Sequence, residues 1–317
     1  MDPIPLREIE DARARLDGIV MRTPLLRLET DDPADRISIK LENLQPIGSF
    51  KLRGAVNALA LADPDAIAKG VVTASAGNMA QGLAWAANHR GVACRVVVPD
   101  HAPRTKLEAI ERLGGSWLAV PFDRWWRTLE ERGHEDLEGY FVHPVSERPV
   151  IAGNGTIGLE ILEDLPDVAT ILVPFGGGGL SSGIASALRA CKPDVRIVAC
   201  EVETAAPLSA ARAAGHPVAI DYRESFVDGI GGRSVLPEMW PLVSKLIDDT
   251  VVVTLDEIEA AIHLLATRHR VIAEGAGAAS VAAALSGRAG AGAIACVVSG
   301  GNLDATHLAR ILGATPG

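Results

Sequence analysis

Cysteine is scarce in this sequence. There are four in 317 residues, Cys94, Cys191, Cys200 and Cys296, and none is paired as C-x-x-C. That spacing excludes a disulfide framework and a thiolate zinc site. Three of the four sit in apolar runs, and all are read as reduced core residues. The eight histidines form no H-x-x-x-H or H-E-x-x-H pattern, so no zinc site is expected. No apolar run approaches the ~18 residues of a membrane span. The start, Met1-Asp2-Pro3-Ile4-Pro5, lacks the basic and apolar regions of a signal peptide. A cytoplasmic location with no membrane partner is the expectation. Positive charge is also short: 30 Lys and Arg against 40 Asp and Glu leave a net charge of −10, which argues against a nucleic-acid partner.

What is present is the composition of a folded protein, 48% apolar and 22% charged, which excludes disorder for most of the length. Length alone suggests roughly two domains of ~150 residues. Strand-like and helix-like segments alternate, the mark of α/β proteins with parallel sheets. Strands are predicted over 37–41, 70–74, 93–98, 117–120, 170–174, 196–201 and 293–298. Helices are predicted over 49–61 with Ser49 as N-cap, and over 78–90, 104–113, 123–132, 156–165, 180–191 and 255–266. The Gly/Ala stretch 287–292 reads as a surface loop.

Three predicted strands end in turns rich in Gly, Ser or Asn: Ser75-Ala76-Gly77-Asn78, Phe175-Gly176-Gly177-Gly178-Gly179, and Ser299-Gly300-Gly301-Asn302. Ligands of open α/β sheets bind at the carboxyl ends of strands, so one ligand held from several sides is expected. Gly176 to Gly179 followed by Leu180 places backbone N–H groups and a helix start together, an anion site suited to phosphate. No Gly-Lys-Ser/Thr follows, so it is not a Walker A loop. Taken alone, it also reads as a turn for close helix–sheet packing. Lys51, in Ser49-Phe50-Lys51-Leu52-Arg53-Gly54-Ala55, sits at a predicted helix start within an apolar stretch. Both settings disfavour its charge, and a neutral amine is the nucleophile of Schiff-base chemistry. A solvated surface lysine is the plainer reading of that segment in isolation. Likewise Ser75 to Asn78 reads either as a carboxylate cradle or as simple N-capping.

Taken together, S-F-K-x-R-G-A, S-A-G-N, G-G-G-G-L and S-G-G-N, in this order and spacing, resemble the fold-type II pyridoxal-phosphate enzymes, in the threonine/serine dehydratase (ammonia-lyase) branch. The resemblance runs from Arg22-Thr23-Pro24-Leu25 to Ser299–Asn302. It includes Lys40-Leu41-Glu42-Asn43-Leu44-Gln45-Pro46, Ala152-Gly153-Asn154-Gly155-Thr156 and Asp228-Gly229-Ile230. It implies a two-domain α/β fold like the tryptophan synthase β-chain, with open, mostly parallel sheets flanked by helices. The small domain would span 44–145 and the large domain 1–43 with 146–317. It implies pyridoxal 5′-phosphate as cofactor, an amino-acid substrate and a homodimer. Lys51 would form the Schiff base and act as base, Phe50 would pack on the cofactor ring, and Asn78 would bond its 3′-oxygen. Gly176, Gly177, Gly178, Gly179 and Leu180 would hold the phosphate, Gly229 would lie near the imine edge, and Ser299 would meet the pyridine nitrogen. Ser75, Ala76, Gly77, Asn78 and Met79 would hold the substrate carboxylate. A neutral serine at the ring nitrogen makes a weaker electron sink, which favours prompt β-elimination over long-lived carbanion chemistry.

The activity implied is conversion of a β-hydroxy amino acid, L-threonine or L-serine first, to a 2-oxo acid and ammonia. Met79 stands where the family often has histidine, which opens the choice to bulkier substrates such as phenylserine or 3-hydroxyaspartate. Trp125-Trp126 either bears on this or is ordinary core and surface. Serine racemisation is a competing activity of the same branch. Its racemases carry a second serine where Ala76 stands, and alanine exchanges no proton. Cysteine-synthase-like β-replacement competes on the same scaffold, as does binding of the cofactor without catalysis. Of a racemase-type divalent-cation site, Glu201 is present, Pro207 occupies the aspartate position, and Glu203 is the nearest substitute. With the chain ending at Gly317, no isoleucine-binding regulatory domain is expected.

Overall fold

The computed structural model describes residues 1–313; the chain end at Gly317, on which the regulatory-domain expectation rests, lies outside the described residues. Ten strands form two sheets: β1 Leu25–Arg27, β2 Ile37–Leu41, β3 Val71–Ala74, β4 Cys94–Pro99, β5 Gly115–Val120, β6 Tyr140–Phe141, β7 Thr170–Pro174, β8 Arg196–Val202, β9 Asp249–Val253 and β10 Ile294–Val298. The larger sheet has the order β1-β2-β10-β7-β8-β9 and the smaller β5-β4-β3-β6. All neighbours are parallel except β1 with β2. The predicted α/β class with parallel sheets is what the chain adopts. Because β10 lies beside β7, the loops after them, starting at Ser299 and Phe175, emerge side by side. β3 is central in the smaller sheet and delivers Ser75 to its carboxyl edge.

The central strands β7 and β10 are buried throughout, as near-continuous apolar strands of a covered parallel sheet must be. Helices cover both sheets. The helix Gly275–Leu285 has ten buried residues out of eleven and approaches the loop after β10 so closely that a side chain on Gly277 would strike the Gly300 carbonyl. Being apolar all round, it carries no amphipathic period, and the periodicity of the sequence does not reveal it. The helices Leu6–Leu16, Pro207–Ala214 and Ala305–Gly313 also go beyond the predicted set. The helix predicted from 156 begins at Arg148 instead and takes in the whole A-G-N-G-T segment.

Three expectations need correction. Ser49 is not the N-cap; the helix is Lys51–Leu61, with Phe50 in that position and no side-chain cap. Cys191 is exposed in the last turn of its helix, while the other three cysteines are buried and all four are free. Glu201 is no open metal ligand. Its oxygens accept Leu208 N–H at 2.7 Å, Ser209 N–H at 2.8 Å and Ser209 Oγ at 2.6 Å, which ties β8 to the start of the next helix. Glu203 accepts the Leu255 N–H at 2.8 Å.

The Lys51 helix is anchored by a buried charge cluster. Arg53, 2% exposed, donates to both Glu42 oxygens at 2.8 Å and to both Glu160 oxygens at 2.6 and 2.9 Å. It also reaches Thr156 Oγ1 at 3.0 Å. Lys40, fully buried, donates to Glu160 Oε2 and to the Thr23 carbonyl, both at 2.6 Å. Burial pushes the Glu42 carboxyl up, but the charge and hydrogen bonds of Arg53, with Thr23 and Lys40, hold it below the ordinary range. Two cations meet two carboxylates with their donors engaged, the condition under which buried charges are tolerated. The Arg53→Met variant leaves buried Glu42 without its guanidinium partner and Glu160 with Lys40 alone, and is expected to lose about 3–5 kcal/mol of stability, read from urea unfolding; a loss under about 1 kcal/mol would contradict this account.

Candidate active site

A cavity of about 420 Å³ lies between the two sheets. It is lined by every site residue the sequence singled out except Glu201 and its substitute Glu203: Phe50, Lys51, the loop from Ser75 to Met79, Gly176 to Leu180, Gly229 and Ser299. The motifs are separated by up to about 250 residues of chain, and the parallel topology brings their loops to one place.

Lys51 is the first residue of its helix. Phe50 is held by its N–H bond to the Ser299 carbonyl at 3.0 Å. The Lys51 Nζ lies 5.2 Å from the Phe50 ring centroid and donates to the Pro144 carbonyl at 2.7 Å. Burial lowers its pKa from 10.5 to about 8. Enclosure thus makes a usable fraction of neutral amine near physiological pH. The carbonyl that holds it belongs to a turn organised by His143. His143 Nδ1 accepts the Val145 and Ser146 N–H groups at 3.1 and 2.9 Å. Those two bonds assign the imidazole proton to Nε2. Burial, then the nearby charges of Arg132 and Lys51, lowers its pKa to about 3, so the ring is neutral.

The same turn presses on the glycine loop. A Cβ on Gly177 would meet Val145 side-chain carbons at 2.6 Å, and one on Gly179 would meet the Val145 carbonyl at 2.7 Å. Gly178 has φ +91°, a conformation open to glycine. The helix Gly179–Cys191 starts here, and the N–H groups of a first helical turn have no partner within the helix. The loop is therefore a cradle for an anion, sized by the absence of side chains. Asn154 supports it from behind, donating to the Gly179 carbonyl at 3.4 Å.

Asn78 begins the helix Asn78–His89. Its Nδ2 donates to Glu274 Oε1 at 2.8 Å and its Oδ1 accepts from Asn302 Nδ2 at 2.7 Å. Asn302 also donates to the Ile47 carbonyl at 2.9 Å. An acceptor on one side and a donor on the other fix the orientation of the Asn78 amide and leave one of its N–H bonds uncommitted. Glu274 is buried at the start of the Gly275–Leu285 helix. Burial, then the charge of Asp228, raises its pKa from 4.5 to about 7, against the hydrogen bond from Asn78, the charge of Lys106 and the backbone of Asn302. Sequence reasoning missed Glu274. The signal was an acidic residue closing the apolar Val271-Ile272-Ala273 just before a Gly/Ala run. Ser75 turns inward on its own loop, its Oγ accepting the Gly77 N–H at 3.2 Å. Met79 reaches the cavity wall but is 2% exposed and packed in the core of the smaller sheet.

Lys106 and Asp228 form an ion pair across the mouth. The described residues contain no group of three His, Cys, Asp or Glu placed to hold a metal ion, and no helix long and apolar enough to cross a membrane.

Residues 16–300 match the family described as pyridoxal-phosphate dependent enzyme. The L-threonine ammonia-lyase of Thermotoga maritima is 38% identical over 314 residues, covering 98% of this chain and 78% of that protein. The catabolic L-threonine dehydratase TdcB of Staphylococcus aureus is 36% identical, covering 98% of this chain and 92% of that one. The structure of maize serine racemase has a TM-score of 0.90 and 34% identity, covering 97% and 96% of the two chains.

Two titrations check these electrostatics. In cofactor-free protein, labelling of Lys51 by an amine-reactive reagent, read by peptide mass spectrometry, is expected to rise with a midpoint near pH 8. A midpoint at the ordinary value for lysine refutes the desolvation argument. For Glu274 the folded pKa lies above the unfolded one. Its favourable contribution is present below the unfolded value of 4.5 and is lost as pH rises through about 7. Glu274→Gln removes that dependence. The variant's stability relative to the parent should therefore improve between about pH 5 and 8, by up to about 3 kcal/mol at about 1.36 kcal/mol per unit. A pH-independent difference sinks the assignment.

Proposed function

The chain belongs to the pyridoxal-phosphate dependent enzyme family, and from that premise we propose that it is a lyase which removes water from a β-hydroxy amino acid and releases a 2-oxo acid and ammonia. The observation that carries this reading is the enclosed Lys51 amine, lowered to about 8, opening into the cavity shared with the side-chain-free cradle of Gly176–Gly179. L-Threonine is the substrate in the names of the ammonia-lyase and dehydratase relatives, and L-threonine and L-serine are the first substrates to test.

The cavity fits pyridoxal phosphate. The Gly176–Gly179 loop would take the phosphate, Lys51 would be the amine for the aldehyde, and the uncommitted Asn78 N–H would be a donor for the ring oxygen. Ser299 would be a neutral partner for the ring nitrogen. The bound cofactor supplies an aldehyde for imine chemistry and a ring that withdraws electrons from Cα. The protein's part is orientation and proton transfer. The helix start at Gly179 fixes one end of the site, and the Ser75 loop with the start of the Asn78 helix binds the substrate carboxylate. The neutral Lys51 amine takes the Cα proton. Loss of the β-hydroxyl as water gives an enamine, which tautomerises and is hydrolysed to the 2-oxo acid and ammonia. Ala76 offers no proton on the opposite face, which separates this reading from the racemase named among the structural relatives.

The holoenzyme is expected to release 2-oxo acid and ammonia in equal amounts from L-threonine or another β-hydroxy amino acid. Lys51→Ala should lower that rate by at least about 10³-fold. Gly179→Ala, whose Cβ meets a backbone carbonyl, should weaken binding of the cofactor at least about tenfold, or about 1.4 kcal/mol. Formation of D-serine without ammonia, or consumption of O-acetylserine with sulfide in place of water loss, overturns the proposal.

A further inference from the structure

One wall of the cavity is not used by the chemistry above. After β4 comes His101; after β5 comes the helix Phe122–Glu131, whose first turn carries Phe122 and Trp125. All three line the cavity. Phe122 and Trp125 have ring centroids 5.4 Å apart at 42°, and His101 lies 6.2 Å from Phe122. Trp125 packs against the cluster of Val72, Ala74, Val97 and Val120. Ala74 is the residue before the Ser75 loop, so the indole stands next to the segment that takes the substrate carboxylate. Trp126, its sequence neighbour, is exposed and bonds Glu130 on the outer face. Phe122 is 36% exposed and Trp125 half-buried, and both line the cavity. Aromatic surface that is part exposed and part of a cavity wall gains from covering by an apolar, flat ligand group.

The lysines of the cavity are already matched: Lys51 is held by the Pro144 carbonyl and Lys106 by Asp228. A second substrate carboxylate finds no free partner among them. Arg233 lies over Phe122 at 5.5 Å, and it is not part of the lining.

We propose that the wall of Phe122, Trp125 and His101 binds an aromatic β-substituent, so that the preferred substrate is a β-aryl β-hydroxy amino acid. This rests on the lyase reading above and narrows it. The reaction balances without an oxidant. The Cα–H and Cβ–O bonds break, the Cα proton passes to Lys51, and the hydroxyl leaves as water. The released enamine takes a proton at Cβ, water adds at Cα, and ammonia departs, giving an aryl pyruvate. The aryl group conjugates with the double bond as it forms, which assists loss of the hydroxyl.

The test compares kcat/KM of the holoenzyme for threo-phenylserine, L-threonine, L-serine and threo-3-hydroxyaspartate by ammonia and 2-oxo acid release. Phenylserine is expected to exceed L-threonine at least tenfold. Trp125→Ala and Phe122→Ala should each reduce that ratio at least tenfold, and Trp125→Leu and Phe122→Leu provide versions that keep apolar volume. A binding measurement runs beside it. L-Phenylalanine, which lacks a leaving group, should perturb the cofactor absorbance at concentrations at least tenfold below L-alanine, with the gap narrowed in the variants. Preference for L-threonine with an unmoved ratio in the variants overturns the inference and leaves the lyase reading standing. Preference for 3-hydroxyaspartate also overturns it and points to Arg233. No 2-oxo acid from any of the four removes the lyase reading and the inference with it.

Discussion

Everything at this site depends on keeping one lysine amine uncharged part of the time and in one place. Enclosure lowers its pKa, but enclosure also removes the water that would steady it. The chain solves the second problem with the charge cluster two residues further along the same helix. Arg53 is clamped between Glu42 and Glu160, and Glu160 is shared with Lys40. These groups come from β2, the short turn after it, the Lys51 helix and the helix Arg148–Asp164, so elements distant in the chain share the anchoring. Such a cluster adds little net stability compared with apolar packing. Its value is directional: guanidinium and carboxylate geometry admits one register of the Lys51 helix, whereas a greasy contact admits several.

The cleft is closed by polar contacts of the same directional kind. Gly301 N–H bonds the Gly48 carbonyl at 2.8 Å, Phe50 N–H bonds the Ser299 carbonyl, and Asn302 reaches Ile47 and Asn78. The loop after β10 is thereby stitched to the start of the Lys51 helix and to the start of the Asn78 helix. Glu274 completes the set from below. A carboxyl raised to about 7 changes state within the physiological range, and its partner is the Asn78 amide, which lines the cavity. Protonation there alters the strength of one hydrogen bond to Asn78, and with it how firmly Asn78 presents its remaining N–H. The electrostatics of Glu274 and of Lys51 are separate in cause, since the first is set by burial and Asp228 and the second by burial alone.

Much of this was legible in the sequence because it is written in local signals. A strand followed by glycines and a helix start reads as an anion cradle wherever it falls, and each of the three strand-end turns could be found without knowing the fold. The class of fold was legible for the same reason, from alternation of apolar runs with helical periods. What escaped was decided by distance. The Gly275–Leu285 helix is buried on all sides and has no polar face to give it a period. Glu42 and Arg53 fall in segments the sequence singled out, but nothing there pairs them with Glu160, and the bond from Arg53 to Glu160 spans 107 residues of chain. Glu201 misled because a carboxylate at the end of a strand looks available. Only the turn that follows shows its oxygens occupied by Leu208 and Ser209.

The reading of substrate size shows the same division most sharply. In sequence, Met79 sits inside the asparagine loop and Trp125 far along the chain, so proximity favours Met79 as the residue that shapes the pocket. In the fold the order reverses. Helix periodicity carries Met79 into the core beneath the loop, where it joins Leu52 and Leu83 in the same cluster, while the parallel register of β3, β4 and β5 brings the start of the Phe122 helix up beside Ser75. Adjacent strands of a parallel sheet end on the same edge, so residues that follow them converge however far apart they are in the chain. One wall of the cavity is therefore built by the loops of the neighbouring strands, and substitutions there can reshape that wall while leaving the lysine, the glycine loop and the asparagine loop intact.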